Sequence, residues 1–262
     1  MKIKQIGACL GAAIGATALP AGAAETFRAA DDWKFEITPY AWAAGVSGEA
    51  TVGLGGADNR TFEFERKFSD LVEAVDIALS GLTVIQHDRW VYWVQADYFS
   101  LSTDNLESPT ERATLDADMF MITAAGGYQF ENPFSESNTI DALIGVRYAT
   151  LKNQVTVNAG PNAGYVRENS ADIVDPTILI RPSMYLFKNS LNKKLRFNPT
   201  MGIGGGGDSD LVYELQPQFQ YEFTNAAVRF GYRTLHYKVE GNRGNEFDGE
   251  FSGLFLGACF LI

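Results

Sequence analysis

The segment 211–223 limits the possible folds because its two faces have opposite character. Leu211, Tyr213, Leu215, Pro217, Phe219, Tyr221 and Phe223 form one face, and Val212, Glu214, Gln216, Gln218, Gln220 and Glu222 form the other. Alternation with a period of two is the signature of a β-strand. A row of polar side chains this long cannot be buried in a dry sandwich core. The strand therefore needs an apolar environment on one side and water on the other, as in a membrane-spanning barrel.

Other segments repeat this pattern with charged residues confined to one face. The apolar faces are 33–43 (odd positions), 140–148 (even), 178–184 (even), 195–203 (odd) and 228–232 (even). A charged side chain in a membrane-spanning strand is tolerated when it points into a hydrated lumen. The alternation thus predicts the charged lining of the lumen: Glu36, Asp97, Asp141, Arg147, Arg181, Arg196, Glu214, Glu222, Arg229 and Arg233.

The connections between the predicted strands alternate between short and long. The short ones are 87–89, 132–138, 188–193 and 224–225, and the long polar ones are 47–75, 102–113, 157–171, 204–210 and 241–248. Short turns are typical of the periplasmic side of an outer-membrane barrel, and long loops of the outer side. The fold class is therefore all-β: a closed antiparallel transmembrane barrel of about ten strands, with eight or twelve as alternatives.

The N-terminus predicts export through a cleavable signal peptide. Lys2 and Lys4 precede a short apolar run at 6–19, and Ala21-Gly22-Ala23 provides a cleavage site of small residues. The alternative is a buried N-terminal helix. Residues 1–23 are accordingly predicted to be the signal and 24–262 a single barrel domain in the outer membrane of a Gram-negative bacterium. Loss of the two lysines changes the net charge from −11 to −13, and Cys259 remains as the mature chain's one cysteine.

The last strand adds an independent indication of the same location. Leu254, Leu256, Ala258, Phe260 and Ile262 share one face. This pattern resembles the C-terminal recognition strand of outer-membrane proteins, which the barrel-assembly machinery binds, although Ile262 replaces the usual terminal Phe. The predicted partners are this machinery and outer-membrane lipid, with small solutes as a third class. A C-terminal strand of a soluble sandwich is the alternative.

One segment of the first long connection departs from the strand pattern. Residues 68–74 offer Ser69 as a helix N-cap, with acidic residues in the first turn. We predict a short helix here, and a candidate plug of the barrel mouth formed by Ser69, Asp70, Leu71, Val72 and Glu73. An exposed turn of helix on the surface is an equal alternative.

Four prolines conflict with the predicted strands. Pro39, Pro182, Pro199 and Pro217 fall inside them, and a closed barrel has no edge strand that would tolerate a missing backbone donor. A hairpin centred near Asn189 and Ser190 would place Pro182 opposite Pro199. We expect a bulge or a locally unpaired stretch at that point.

Several short motifs resemble a known group of proteins. They are Thr38-Pro39-Tyr40-Ala41-Trp42-Ala43-Ala44-Gly45, then Gly48, Phe68-Ser69-Asp70-Leu71, Gly145-Val146-Arg147-Tyr148 and Gly231-Tyr232-Arg233. Together they resemble poorly characterised proteobacterial outer-membrane barrel proteins, comparable with small porin-like barrels. The resemblance spans most of the mature chain. It implies fold and location, and it brings no established catalytic residues.

Catalytic and cofactor chemistry find little support in the sequence. The two histidines, His87 and His236, lie in a short turn and on a lipid-facing position, so neither fits the Ser/His or His/acid site of a lipid-modifying enzyme. No paired-histidine metal spacing or phosphate loop is present. We therefore expect no enzyme activity, no metal and no cofactor. The acidic charge also makes nucleic acid an improbable partner.

The lumen charges admit two functions. If the arginines pair with the acids, they close the barrel, which is then structural. If they line an open constriction, they make a narrow pore with an anion bias. A ten-strand barrel lies between the filled and the water-filled sizes, so size does not decide. We expect a narrow or partly plugged pore that transports small solutes. The alternatives are a non-conducting structural barrel and a surface-binding one.

Overall fold

The computed structural model describes residues 33–52, 60–66, 75–107, 112–132, 135–159, 163–164, 166–188, 194–240 and 246–262. In this part the chain forms strands. They are β1 (Trp33–Val52), β2 (Arg60–Arg66), β3 (Val75–His87), β4 (Trp90–Glu107), β5 (Arg112–Asn132), β6 (Ser135–Ala159), β7 (Val166–Lys188), β8 (Lys194–Phe197), β9 (Thr200–Gly204), β10 (Leu211–Gln216), β11 (Gln218–Glu222), β12 (Ala226–Glu240) and β13 (Glu246–Leu261). Among the described residues, no helix is long and apolar enough to cross a membrane.

These strands form one closed antiparallel barrel. The strands of the wall pair in chain order, with β1 next to β3, and β1 closes the ring against β13 with Ile37 opposite Phe260. β8 and β9 together make one strand of the wall, and so do β10 and β11. In the described part of the chain, β2 pairs with the upper part of β1, from Val46 to Val52. The wall therefore has ten strands, which confirms the predicted fold class.

The outer face of β6 changes from apolar to polar at one level. Its outward positions run through Ile140, Ile144 and Val146, all exposed, to Tyr148. Beyond Tyr148 the outward positions are Thr150, Lys152, Gln154, Thr156 and Asn158. The Tyr148 hydroxyl donates a hydrogen bond of 2.9 Å to Asp172 of β7. An apolar band that ends at an aromatic residue is typical of the membrane-facing surface of a barrel.

A second aromatic row marks the opposite edge of this band. Trp90 packs edge-on against Tyr128 at 5.7 Å between ring centroids, and Tyr128 against Phe130 at 5.2 Å. These rings surround the short turns, such as Asp88-Arg89 between β3 and β4. Aromatic girdles at both edges of an apolar band anchor a barrel at the two membrane interfaces.

Several strands are longer than the sequence predicted. β4 continues to Glu107 and β5 begins at Arg112, so most of the loop predicted at 102–113 is paired strand. The loop predicted at 157–171 is likewise shortened, because β6 reaches Ala159 and β7 begins at Val166. The prediction was wrong here for a physical reason. A hairpin that leaves the membrane is polar outside, and its composition therefore looks like that of a loop.

Three of the four conflicting prolines lie in one row across three neighbouring strands of the wall, whereas Pro39 lies in β1 opposite Gly81 of β3. Because Met184 pairs with Phe197 and Ile180 with Met201, Pro182 lies opposite Pro199. The register of β10 and β11 places Pro217 opposite Pro199 on the other side.

The wall is locally unpaired at this row, as expected. Asn198 and Pro199 interrupt β8 and β9, and Pro217 separates β10 from β11. Gln218 repairs part of the gap: its backbone carbonyl accepts the N–H of Asn198 at 3.1 Å, and its side-chain amide donates to the Asn198 carbonyl at 2.8 Å. A side-chain amide thus satisfies a backbone carbonyl at the point where the strand pairing is interrupted.

Candidate functional site

The ten charged residues predicted to line the lumen all point into the barrel. Asp97, Asp141, Arg147, Arg181, Glu214, Glu222, Arg229 and Arg233 are buried there, and Glu36 and Arg196 are nearly so. The structure brings them together in two layers. The upper layer contains Asp97, Arg147, Glu214 and Arg233, and the lower layer contains Glu36, Asp141, Arg181, Arg196, Glu222 and Arg229.

Glu214 of β10 is the centre of the upper layer. One of its carboxylate oxygens pairs with Arg147 of β6, and the other accepts the Arg233 Nε of β12 at 2.7 Å. The Arg233 Nη1 reaches on to Asp97 of β4 at 2.7 Å. These four residues come from four strands, so their ion pairs run across the lumen and join opposite parts of the wall.

Neutral side chains complete the upper layer. The Tyr40 hydroxyl donates to Asp97 at 2.7 Å and accepts hydrogen bonds from Gln95 at 2.7 Å and from Arg233 at 3.2 Å. Arg147 Nε donates to the Thr123 hydroxyl at 2.9 Å. Charged groups that are removed from water remain stable when hydrogen bonds satisfy their remaining donors and acceptors.

Arg196 of β8 is the centre of the lower layer. It lies between Glu36 of β1 at 2.5 Å and Glu222 of β11 at 3.0 Å, the second contact being too bent for a good hydrogen bond. Glu36 also pairs with Arg229 at 2.7 Å. Elsewhere in the same layer, Arg181 pairs with Asp141 at 2.7 Å.

The ten charged residues of the two layers carry no net charge, and the buried carboxylate of Asp175 lies opposite Arg147 in the neighbouring strand β7. Five arginines face five carboxylates, and each of these ten groups has at least one oppositely charged partner within 3.0 Å. A ring of uncompensated positive charge, which would select anions, is therefore absent from these two layers. The arrangement can bind the wall together and obstruct the lumen.

Apolar side chains fill much of the remaining interior, and the sequence analysis missed them. Leu82, Trp93, Leu179 and Leu235 are buried inside, and Trp42 lies under the guanidinium of Arg233 at 4.3 Å from its ring centroid. The signal was available: Trp42 alternates in phase with Glu36 on β1. A search limited to charged residues overlooked it.

A cavity of about 630 Å³ remains at the end of the barrel that carries the short turns. We call it the vestibule. Its side walls include Lys34, Gln86, Thr139, Ser183 and Lys194, and Arg181, Arg196, Glu36 and Glu222 of the lower layer form its floor. The vestibule is therefore a polar cup that ends at the ion-pair layers.

The remaining predicted features fall outside this interior. The predicted helix at 68–74, with the candidate plug Ser69, Asp70, Leu71, Val72 and Glu73, lies outside the described residues. His87 stacks on Trp33 at 4.4 Å and His236 on Tyr213 at 4.5 Å, both on the outer face. The described residues contain no group of three or more His, Cys, Asp or Glu that could hold a metal ion.

The fold is similar to that of known outer-membrane barrels. The outer-membrane protease OmpT from Escherichia coli matches with a TM-score of 0.50 and 10% identity over 88% of this chain and 97% of that chain. The translocator domain of the autotransporter NalP from Neisseria meningitidis matches at 0.43 and 12%, over 91% and 92%. The protein Ail of Yersinia pestis matches at 0.34 and 10%, over 88% and 99%. At these identities the OmpT likeness supports the fold alone, and the other two add no argument.

No protein-family model matches the chain, and no curated protein matches it in sequence. The resemblance to the small porin-like group therefore stays a prediction. What the comparisons and the topology show is the fold of an outer-membrane β-barrel.

Proposed function

We propose that this chain is an integral outer-membrane protein whose barrel is closed to solutes at rest. Three features support the location: the apolar band bounded by aromatic residues, the short turns at one end with long hairpins at the other, and the OmpT-like fold. The main support for a closed lumen is the upper ion-pair layer. Asp97, Glu214 and Arg233 are each at most 3% exposed, so water does not reach them.

The function of such a barrel resides in the surfaces that it exposes on the two sides of the membrane and not in the transport of solutes. On the outer side, the hairpins of β4–β5, β6–β7 and β12–β13 extend beyond the apolar band. These hairpins offer a paired, polar surface to the exterior. The proposal thus favours the non-conducting structural or surface-binding role among the functions that the sequence left open.

The narrow pore stays a prediction, and planar bilayers test it. We expect the purified protein to give no discrete conductance steps, because an ion would have to displace paired groups that span the lumen. The variant that lacks residues 68–74 should be equally silent, since the layers described above do not include that segment. Regular conductance steps in either protein would contradict the closed barrel, and anion-selective steps would restore the pore.

Cysteine accessibility tests the same closure residue by residue. In a background with Cys259→Ser, Gln86→Cys lies in the vestibule and should react with a water-soluble thiol reagent. Gln218→Cys occupies a fully buried inward position and should not react in the folded protein. Equal labelling of both positions would show that water passes the ion-pair layers, and it would overturn the proposal.

We also propose that the barrel is not an enzyme. OmpT is a protease, and its similar fold raises the question whether this chain also has enzyme activity. Neither histidine of this chain lies in the interior, and His236 Nε2 is 3.5 Å from an Asp248 oxygen on the outer face. Incubation of the folded protein with casein or with phospholipid vesicles should release no product. Turnover abolished by His236→Ala would contradict this proposal.

A further inference from the structure

The vestibule carries positive charge although the chain as a whole is acidic. Four cationic side chains line it, Lys34, Arg181, Lys194 and Arg196, against the carboxylates of Glu36 and Glu222. Its volume of about 630 Å³ lies in the range of small-molecule sites, about 300–1,000 Å³. Because the net charge of the chain is −11, this local excess of positive side chains is a property of the cavity and not of the composition.

The two carboxylates are already neutralised within the barrel. Glu36 pairs with Arg196 and with the deeper Arg229, and Glu222 pairs with Arg196. In the described part of the chain, neither Lys34 nor Lys194 has a carboxylate oxygen within 4 Å. Lys194 is instead held near the ring of Tyr185, at 5.8 Å from its centroid. Two lysine charges therefore remain free to attract a ligand.

Arg181 supplies a directed donor at the floor of the vestibule. Its Nε and Nη2 bind one oxygen of Asp141 at 2.8 and 2.7 Å, and the guanidinium lies 5.2 Å from the ring centroid of Trp93. Arg181 is 6% exposed, and its Nη1 is buried with no hydrogen-bond partner in the described structure. A buried donor without a partner is costly, and a small rotation of the Arg181 side chain that turns Nη1 toward an anion in the vestibule would remove that cost.

We propose that the vestibule binds a small anion from the periplasmic side, through a phosphate or carboxylate group. Arg181 Nη1 donates to an oxygen of the anion, and Lys34 and Lys194 supply charge from the walls. Guanidinium and ammonium groups make short, charge-assisted hydrogen bonds with such oxygens. The ligand enters and leaves on one side, because the ion-pair layers obstruct the path to the outer end.

Isothermal titration of the full-length protein, refolded in nonionic detergent at low salt, tests this site. Inorganic phosphate and citrate are the two probes, and we expect saturable binding of at least one. A phosphate-only result assigns a phosphate-bearing ligand, and a citrate-only result a carboxylate-bearing one. The variant with Lys34→Gln and Lys194→Gln should bind the same probe at least about tenfold more weakly, because it loses two charged contacts.

The matched control is Lys152→Gln, which removes one exposed lysine from the outer face of β6. It should leave the affinity unchanged. Arg181→Lys keeps the charge that Asp141 needs but removes the forked donor, and it should also weaken binding. Heat-modifiable migration on SDS gels shows that each variant is folded. Absence of saturable binding by both probes, or equal weakening in Lys152→Gln and the double variant, would overturn the site. Neither outcome depends on whether the barrel conducts.

Discussion

Glu214→Gln should lower the free energy of unfolding by about 3–5 kcal/mol, the range expected when one partner of a buried ion pair is removed. Glutamine has nearly the same size and keeps one acceptor oxygen, so the change removes charge without creating a cavity. Arg147 and Arg233 both pair with Glu214. The substitution therefore leaves Arg147 with no ion-pair partner in the described structure, and Arg233 with Asp97 alone. Urea unfolding in phospholipid vesicles, followed by tryptophan fluorescence, measures the effect.

The chain offers a matched control in an exposed ion pair. Arg89 and Glu131 lie 2.9 Å apart beside the short turns, and their side chains are 50% and 64% exposed. Glu131→Gln should cost less than about 1 kcal/mol, because water screens this pair and replaces the lost contact. If Glu214→Gln costs as little as Glu131→Gln, the upper layer is hydrated and the barrel is open.

Ile144→Arg should destabilise the barrel by about 2–4 kcal/mol, as expected for a charged residue placed near the bilayer midplane on the lipid face. Ile144 lies at the middle of the apolar outward row of β6 and is 70% exposed on that face. In water such an exposed position would accept arginine at little cost. The penalty therefore reports directly that the outer face contacts lipid.

Gln154→Arg is the control for this experiment. Gln154 lies on the same strand and the same face, beyond Tyr148, where the outward residues are polar. It should change stability by less than about 1 kcal/mol, since cost falls steeply toward the interface. Unfolding of both variants in the same vesicles gives the comparison. Equal penalties at the two positions would show that the apolar band does not end at Tyr148.

The wall of this barrel was predictable because the period of a strand fixes which side each residue takes. The alternation of 211–223 assigned Glu214 and Glu222 to the interior and Phe219 to the exterior, and the structure has them there. The alternation of short and long connections predicted ten strands, which is the number in the wall. Even the proline conflict was informative, because the expected hairpin placed Pro182 opposite Pro199.

The contacts between interior residues were beyond prediction from the sequence. Alternation specifies a face, but not the height of a residue relative to a strand on the opposite wall. Glu36 and Arg196 are 160 residues apart, and Asp97 and Arg233 are 136 apart. Their pairing depends on strand stagger and side-chain rotamers. The sequence therefore did not decide between a closed network and an open ring of arginines, and the narrow pore that it favoured stays a prediction.

The described parts of the hairpins that extend beyond the apolar band are paired strand. β6 and β7 remain in register up to Thr156 and Val166, and β12 and β13 up to Glu240 and Glu246. The conformational entropy of these backbones is therefore lost when the barrel folds, not when a partner arrives. A molecule that docks on the described hairpins meets a preorganised surface and keeps more of its contact energy as affinity. The association rate of this molecule is then set by diffusional encounter and orientation, because the described hairpins need not become ordered first.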